Sequence, residues 1–189
     1  MPDAPRTALD RQRLTDLFRR HGEAVFAYAS DRLGGEDAQD LVAEVFVVAW
    51  RRLATIKEGR ERPWLFGVAR QLVMQHRRSR ASQAALQIRP YSHAEPSDPS
   101  HSSPAATQRA EVLAALATLP EADRELLLQR YWYDLSGSES AMVLECTVAT
   151  LAVRLHRARR RFANIYEHRS VEPKPSPTES LTAYARGLQ

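Results

Sequence analysis

The sequence predicts an all-α protein with two small helical domains joined by a flexible linker, the second domain containing a helix-turn-helix. Apolar residues recur at helical spacing through residues 9–80 and again through residues 108–168. The stretch between them, 81–107, is rich in proline and serine and lacks this periodicity. Near the end of the second periodic stretch, a short capped segment and a tight connection precede a strongly basic helix.

The composition indicates a folded protein and argues against disulfide-bonded, metal-binding, secreted and membrane-spanning proteins. A chain of 189 residues with 43% hydrophobic and 26% charged residues is typical of one folded domain or two small ones. The single cysteine excludes an internal disulfide, and the spacings of common metal sites are absent, so we expect no metal and no cofactor. The polar N-terminus lacks the features of a signal peptide, and the apolar runs are too short to span a bilayer. We therefore expect a cytoplasmic protein without membrane insertion.

The first domain, residues 9–80, opens with a helical pattern from about Leu9. Gly22 weakens this pattern, and Gly34 and Gly35 end it. Two helices in series and one bent helix are both compatible with the spacing. A further helix is predicted from about residue 36 to residue 53.

That further helix has an unusual distribution of charge. Its charged residues are all acidic as far as Trp50, and they are Glu36, Asp37, Asp40 and Glu44. Carboxylates in the first turn favour the helix dipole, which accounts for Glu36 and Asp37. Glu44 lies two turns further on, where the dipole explains little. An acidic and partly apolar surface on a basic protein predicts contact with a positively charged protein partner.

A loop over 54–62 precedes the next helix, which we expect to begin at Pro63. One side of this helix is apolar, and the other carries arginines and glutamines near Trp64. Cations at a helix C-terminus are favoured by the dipole, so a purely structural explanation exists. The same combination of cations, amides and aromatic rings also binds single-stranded nucleic acid. The residues alone leave both explanations open.

The second domain, residues 108–168, ends in the helix-turn-helix pattern. Ser136 and Glu139 have capping-box spacing, and Thr147 is a predicted N-cap for the basic helix. No Asp or Glu occurs between Cys146 and Tyr166, although several arginines share one face there. Such a face favours a polyanion, and the second helix of this motif enters the major groove of DNA. A C-terminal extension, residues 169–189, follows.

These segments together resemble an extracytoplasmic-function (ECF) bacterial RNA polymerase sigma factor. DAQDLVAEVFVVAW (37–50) is similar to the family's polymerase-docking helix, and RPWLFGVARQLVMQHRR (62–78) is similar to the segment that melts and holds a promoter element. Residues 116–162 resemble the family's second DNA-binding domain. Glu145 departs from the pattern, because the family usually has glycine in the turn.

The resemblance implies roles for individual residues in transcription initiation. The residues implied to bind core RNA polymerase are Asp37, Asp40, Leu41, Glu44 and Phe46. Those implied to bind the melted promoter element are Trp64, Arg70, Gln71, Gln75, Arg77 and Arg78. Those implied to bind the double-stranded upstream element are Thr150, Arg154, Arg157, Arg160 and Arg161. An anti-sigma protein is a further implied partner.

Three other classes of protein remain as alternatives. A helix-turn-helix regulator acting without polymerase would explain the basic helix but leave the acidic helix unused. In a protein-binding helical adaptor, both basic faces would simply be solvated surface. An enzyme is disfavoured, because no catalytic triad, metal-ligand cluster or glycine-rich phosphate loop is recognisable.

Overall fold

A computed structural model of the chain describes residues 7–86, 104–168, 178 and 181–182. Every regular element within these ranges is helical, which confirms the all-α prediction. The helices form two compact units: the first contains the first three helices, and the second contains most of the last four.

The first unit contains α1 (Ala8–Leu33), α2 (Gly35–Arg51), a short 3₁₀ turn (Leu53–Thr55) and α3 (Glu61–Leu86). A capping box opens α1: the Asp10 N–H donates to Thr7 Oγ1 (3.2 Å), and the Thr7 N–H donates to Asp10 Oδ2 (3.0 Å). Gly34 joins α1 to α2 at a φ of 89°, a conformation that favours glycine. The three helices pack on one another around an apolar core.

Gly22 does not interrupt α1, so the single-helix alternative is the one observed. Gly22 is buried, and a Cβ at this position would lie 3.3 Å from the ring of Phe18. That ring in turn meets Phe46 of α2 edge-on, with centroids 5.0 Å apart. The glycine therefore accommodates an aromatic ring beside α1, and this tertiary contact outweighs its low helix propensity.

The second unit contains α4 (Pro104–Thr118), α5 (Glu121–Leu127), a π-helical turn (Leu128–Trp132), α6 (Gly137–Val143) and α7 (Val148–His168). Its core combines leucines of α5 with the buried side of α7, where Phe162 and Tyr166 stack with centroids 5.5 Å apart. The π-helical turn carries Gln129, which is fully buried and donates to Glu125 Oε1 at 2.7 Å.

Several predicted boundaries differ from the observed ones. Helix α3 begins at Glu61, so Pro63 lies in the first turn, where its missing N–H has no intrahelical acceptor to lose. Helices α3 and α4 extend into both ends of the predicted linker, and its central part, 87–103, lies outside the described residues. The predicted C-terminal extension, 169–189, also lies outside them apart from Thr178, Leu181 and Thr182.

Candidate functional site

The capping box predicted before α6 is present. The Ser136 N–H donates to Glu139 Oε2 (2.8 Å), and the Glu139 N–H donates to Ser136 Oγ (3.2 Å). These two bonds satisfy backbone donors that the helix itself leaves unpaired. They fix the start of α6, the first helix of the helix-turn-helix.

The turn after α6 is a Schellman motif. The Cys146 N–H donates to the Ala141 carbonyl (2.9 Å), and the Glu145 N–H donates to the Met142 carbonyl (3.2 Å). This arrangement requires a left-handed residue, and Glu145 has a φ of 51°. Glu145 thus has a left-handed conformation that costs glycine less energy, as expected because the family usually has glycine at this position.

Thr147 caps α7 as predicted: its Oγ1 accepts the Thr150 N–H at 3.1 Å. The hydroxyl groups of Thr147 and Thr150 lie 2.8 Å apart and share a further hydrogen bond. Thr150 is exposed in the first turn of α7. The cap therefore orients the hydroxyl of Thr150. This side chain lies at the N-terminal end of α7, the end that would enter a DNA groove first.

The two sides of α7 differ sharply. Its buried side consists of Leu151, Leu155, Ala158, Phe162 and Tyr166. The opposite surface carries Arg154, Arg157 and Arg160, which are exposed and form no ion pair with any residue that the structure describes. Three such cations on adjacent turns of one helix form a surface complementary to a phosphate backbone.

Two other arginines of α7 are engaged within the unit. Arg161 forms an ion pair with Asp123 of α5, and its side chain keeps 56% exposure while that of Asp123 keeps 13%. Arg159 Nε donates to the Tyr131 hydroxyl at 2.6 Å. A phosphate that binds Arg161 would therefore compete with the carboxylate of Asp123 for the same guanidinium. Arg160 has no such competing carboxylate among the described residues.

The residues of α2 that are predicted to bind polymerase differ in exposure. Leu41 is fully buried and Phe46 is 8% exposed, because both side chains pack into the core of the three-helix unit. They are consequently unavailable to a partner in this conformation. Val47 is 48% exposed and follows Asp40 and Glu44 at helical spacing. The exposed face of α2 thus combines Asp40, Glu44 and Val47, with Glu36 one turn before Asp40.

Two of the three acidic residues that are predicted to bind polymerase already contact side chains of α3. Asp37 forms an ion pair with Arg80 of α3, and Glu44 Oε1 lies 3.5 Å from His76 Nε2. Asp40 is exposed and has no ion pair among the described residues. The contacts of Arg80 and His76 with α2 could not be predicted from sequence, because residues more than 30 positions apart carry no local signal for pairing.

The predicted single-strand-binding residues of α3 separate into two groups. Gln71, Gln75 and Arg78 are exposed and share one face at helical spacing. Trp64 begins that face and is half-buried. The other two arginines, Arg70 and Arg77, lie beside the core, and Arg77 Nη2 donates to the Arg32 carbonyl at 3.5 Å.

Two kinds of feature are absent from the described residues. No group of three or more His, Cys, Asp or Glu side chains within them is arranged to hold a metal ion. In the same part of the chain, no helix combines the length and apolar character needed to cross a bilayer.

Both units match known sequence families. Residues 17–83 match the family described as Sigma-70 region 2, and residues 109–162 match Sigma-70 region 4. The chain is 31% identical over 150 residues to the ECF RNA polymerase sigma factor SigL of Mycobacterium tuberculosis, covering 75% of this chain and 82% of SigL. It is 28% identical over 156 residues to the ECF RNA polymerase sigma factor BldN of Streptomyces coelicolor, covering 79% of this chain and 58% of BldN.

Solved structures show a similar fold. The sigma factor RpoE of Bartonella quintana, in complex with the anti-sigma factor NepR, superposes with a TM-score of 0.60 at 22% identity, covering 83% of this chain and 96% of RpoE. CnrH in complex with the cytosolic domain of CnrY superposes with a TM-score of 0.58 at 25% identity, covering 86% of this chain and 97% of CnrH.

Proposed function

Because this chain belongs to the ECF family of RNA polymerase sigma factors, we propose that it binds core RNA polymerase through α2 and promoter DNA through α3 and α7. The two units would divide the work. The first would dock on the enzyme and hold unpaired promoter bases, and the second would bind the double-stranded upstream element. The chain itself would catalyse no step.

The exposed arginines of α7 are the observation that carries the proposal. Arg154, Arg157 and Arg160 follow a capped helix start and a Schellman turn, an arrangement that presents a long helix to the major groove. Each phosphate contact by such a cation releases condensed counterions, so the binding should depend strongly on salt. Thr150, at the start of the helix, is suited to contact base edges.

Docking on polymerase is supported by the exposed face of α2. Asp40 and Glu44 supply negative charge, and Val47 supplies exposed apolar surface between polar neighbours. A protein interface commonly combines a small apolar centre with a charged rim. Polymerase would need to offer basic side chains around an apolar contact.

Promoter melting is supported by the exposed face of α3. The amides of Gln71 and Gln75 can hydrogen-bond to unpaired bases, and Arg78 can contact the strand's phosphates. Trp64 offers part of its ring for stacking at the start of the same face. A base can stack on an aromatic ring such as that of Trp64 only when the strands are separated, which favours the melted element over a duplex.

An anti-sigma protein is the further partner that we propose, acting in the cytoplasm with polymerase. Phe18 of α1 is 53% exposed, and Val47 adds apolar surface on α2. Exposed apolar side chains of this size are suited to a protein interface. An inhibitor covering these residues would exclude polymerase from α2.

In vitro transcription with purified core polymerase and a promoter library tests the proposal. We expect the chain to convert core polymerase from non-specific to promoter-specific initiation. If the chain instead binds duplex DNA and leaves core polymerase unaffected, it acts as a regulator without docking. If it binds neither, the adaptor alternative is favoured.

A further inference from the structure

Two ion pairs connect α2 to the later part of α3. Asp37 pairs with Arg80, and Glu44 pairs with His76 at 3.5 Å. The order of the partners is reversed between the helices, since the earlier acid pairs with the later cation, so α2 and α3 run antiparallel here. Asp40 lies between the two acids in sequence and has no ion pair among the described residues.

Both ion pairs lie at the surface. The side chains of Asp37 and Arg80 are 37% and 45% exposed, and Glu44 is 49% exposed. Exposed pairs of this kind are weak, equivalent to about one and a half- to fivefold in an equilibrium constant. A competing cation from another protein can therefore displace them.

Their position has a consequence for the acidic face of α2. A partner that offers cations to Asp40 meets the guanidinium of Arg80 and the imidazole of His76 beside the flanking acids. Arg80 offsets the charge of Asp37, and His76 Nε2 lies 3.5 Å from Glu44 Oε1. The partner's cations must therefore displace these groups before they can pair with Asp37 and Glu44.

We propose that Arg80 and His76 act as internal competitors for the polymerase cations that bind α2, so that core polymerase must displace them to dock. This inference rests on the proposed function, because it assumes that the acidic face of α2 is the docking surface. It adds two residues that moderate the affinity of that surface without belonging to it.

A double-mutant cycle measures the competition. Core polymerase affinity is determined by fluorescence anisotropy, without DNA, for the wild type and the variants Arg80→Gln, Asp37→Asn and the two combined. We expect Arg80→Gln to tighten binding by about one and a half- to fivefold, the range of an exposed ion pair. In the Asp37→Asn background the same change should have a much smaller effect, because Arg80 then has no carboxylate to mask.

Two controls separate competition from general effects. Arg19→Gln removes an equal charge from α1, where the arginine is exposed and has no ion pair among the described residues, and should leave the affinity unchanged. Arg80→Lys keeps the cation and should bind close to wild type. Thermal unfolding of each variant verifies the fold.

The outcomes are distinct. Unchanged or weaker binding by Arg80→Gln, with wild-type binding intact, overturns the competition but leaves polymerase docking standing. An equal gain in the Asp37→Asn background also overturns it, since the gain would then reflect net charge. If the wild type fails to bind core polymerase at all, both the competition and the proposed function are wrong.

Discussion

Arg161 of α7 and Asp123 of α5 form an ion pair that connects the basic helix to the helix before the π-helical turn. Arg157 lies one turn earlier on the same face and has no ion pair among the described residues. Two arginines that sequence spacing treats as equivalent therefore have different surroundings. One is tied to an internal carboxylate, and the other is free to contact an anion.

This difference predicts unequal effects on duplex binding. Arg157→Ala should lower the slope of log K against log salt by roughly 0.9, the value for one lost phosphate contact. Arg161→Ala should lower the slope less and should destabilise the second unit by roughly 1–3 kcal/mol, because the carboxylate of Asp123, whose side chain is only 13% exposed, would lose its charged partner. Titrations of a promoter duplex at several salt concentrations measure both slopes. Equal slopes for the two variants would mean that Asp123 does not restrain Arg161.

The left-handed turn residue predicts a stabilising substitution. Glu145 has a φ of 51°, where a Cβ costs energy that glycine avoids. Glu145→Gly should raise the free energy of unfolding by about 0.5–1 kcal/mol, after allowance for the greater entropy of glycine in the unfolded chain. Glu145→Ala is the matched control, because it removes the same carboxylate and keeps the Cβ. Urea denaturation that finds the glycine variant no more stable than the alanine variant would contradict the strain.

His21 predicts a pH dependence of stability. Burial lowers the pKa of His21 below its ordinary 6.5, and the cations of Arg20 and Arg62 act in the same direction against the carboxylate of Glu61. The folded state therefore binds fewer protons than the unfolded state, so this group's contribution is complete above about pH 6.5 and is lost as pH falls. Relative to His21→Gln, the wild type should lose stability as the pH falls below about 6.5. If the free energy of unfolding changes equally with pH in the two proteins, the effect is ruled out.

The exposed face of α3 predicts a defect confined to promoter opening. Gln75→Ala should leave duplex binding unchanged and reduce open-complex formation, because its amide would contact only unpaired bases. Permanganate reactivity of promoter thymines measures the opened region. Gln12→Ala is the control, since Gln12 is an exposed glutamine of α1 whose amide donates to Asp16 Oδ1 at 3.1 Å. A normal permanganate pattern for Gln75→Ala would remove Gln75 from the proposed contact.

Local features of the fold could be predicted from sequence because their causes lie within a few residues. The capping box of Ser136 and Glu139 and the N-cap at Thr147 each join residues three positions apart, and both are present. The left-handed turn at Glu145 follows from the same local geometry. The helix-turn-helix was therefore predictable in some detail.

Tertiary relationships were less predictable. Helical spacing places Leu41 and Phe46 in the wide apolar face of α2, and both are buried in the core. Their contact with polymerase was implied by the resemblance and stays a prediction. The pairing of Asp37 with Arg80 depends on how α2 packs against α3. Gly22 was ambiguous for the same reason, since its neighbour Phe18 makes an aromatic contact with another helix.

The division of labour between the acidic and basic helices is tested most directly by capturing core polymerase with three forms of the chain. The wild type should capture it, and Asp40→Lys with Glu44→Lys should lose capture while still binding promoter duplex. Arg154→Ala with Arg157→Ala should retain capture and lose duplex affinity. If core polymerase ignores the wild type, or if the lysine variant captures it equally well, the assignment of α2 to polymerase is contradicted.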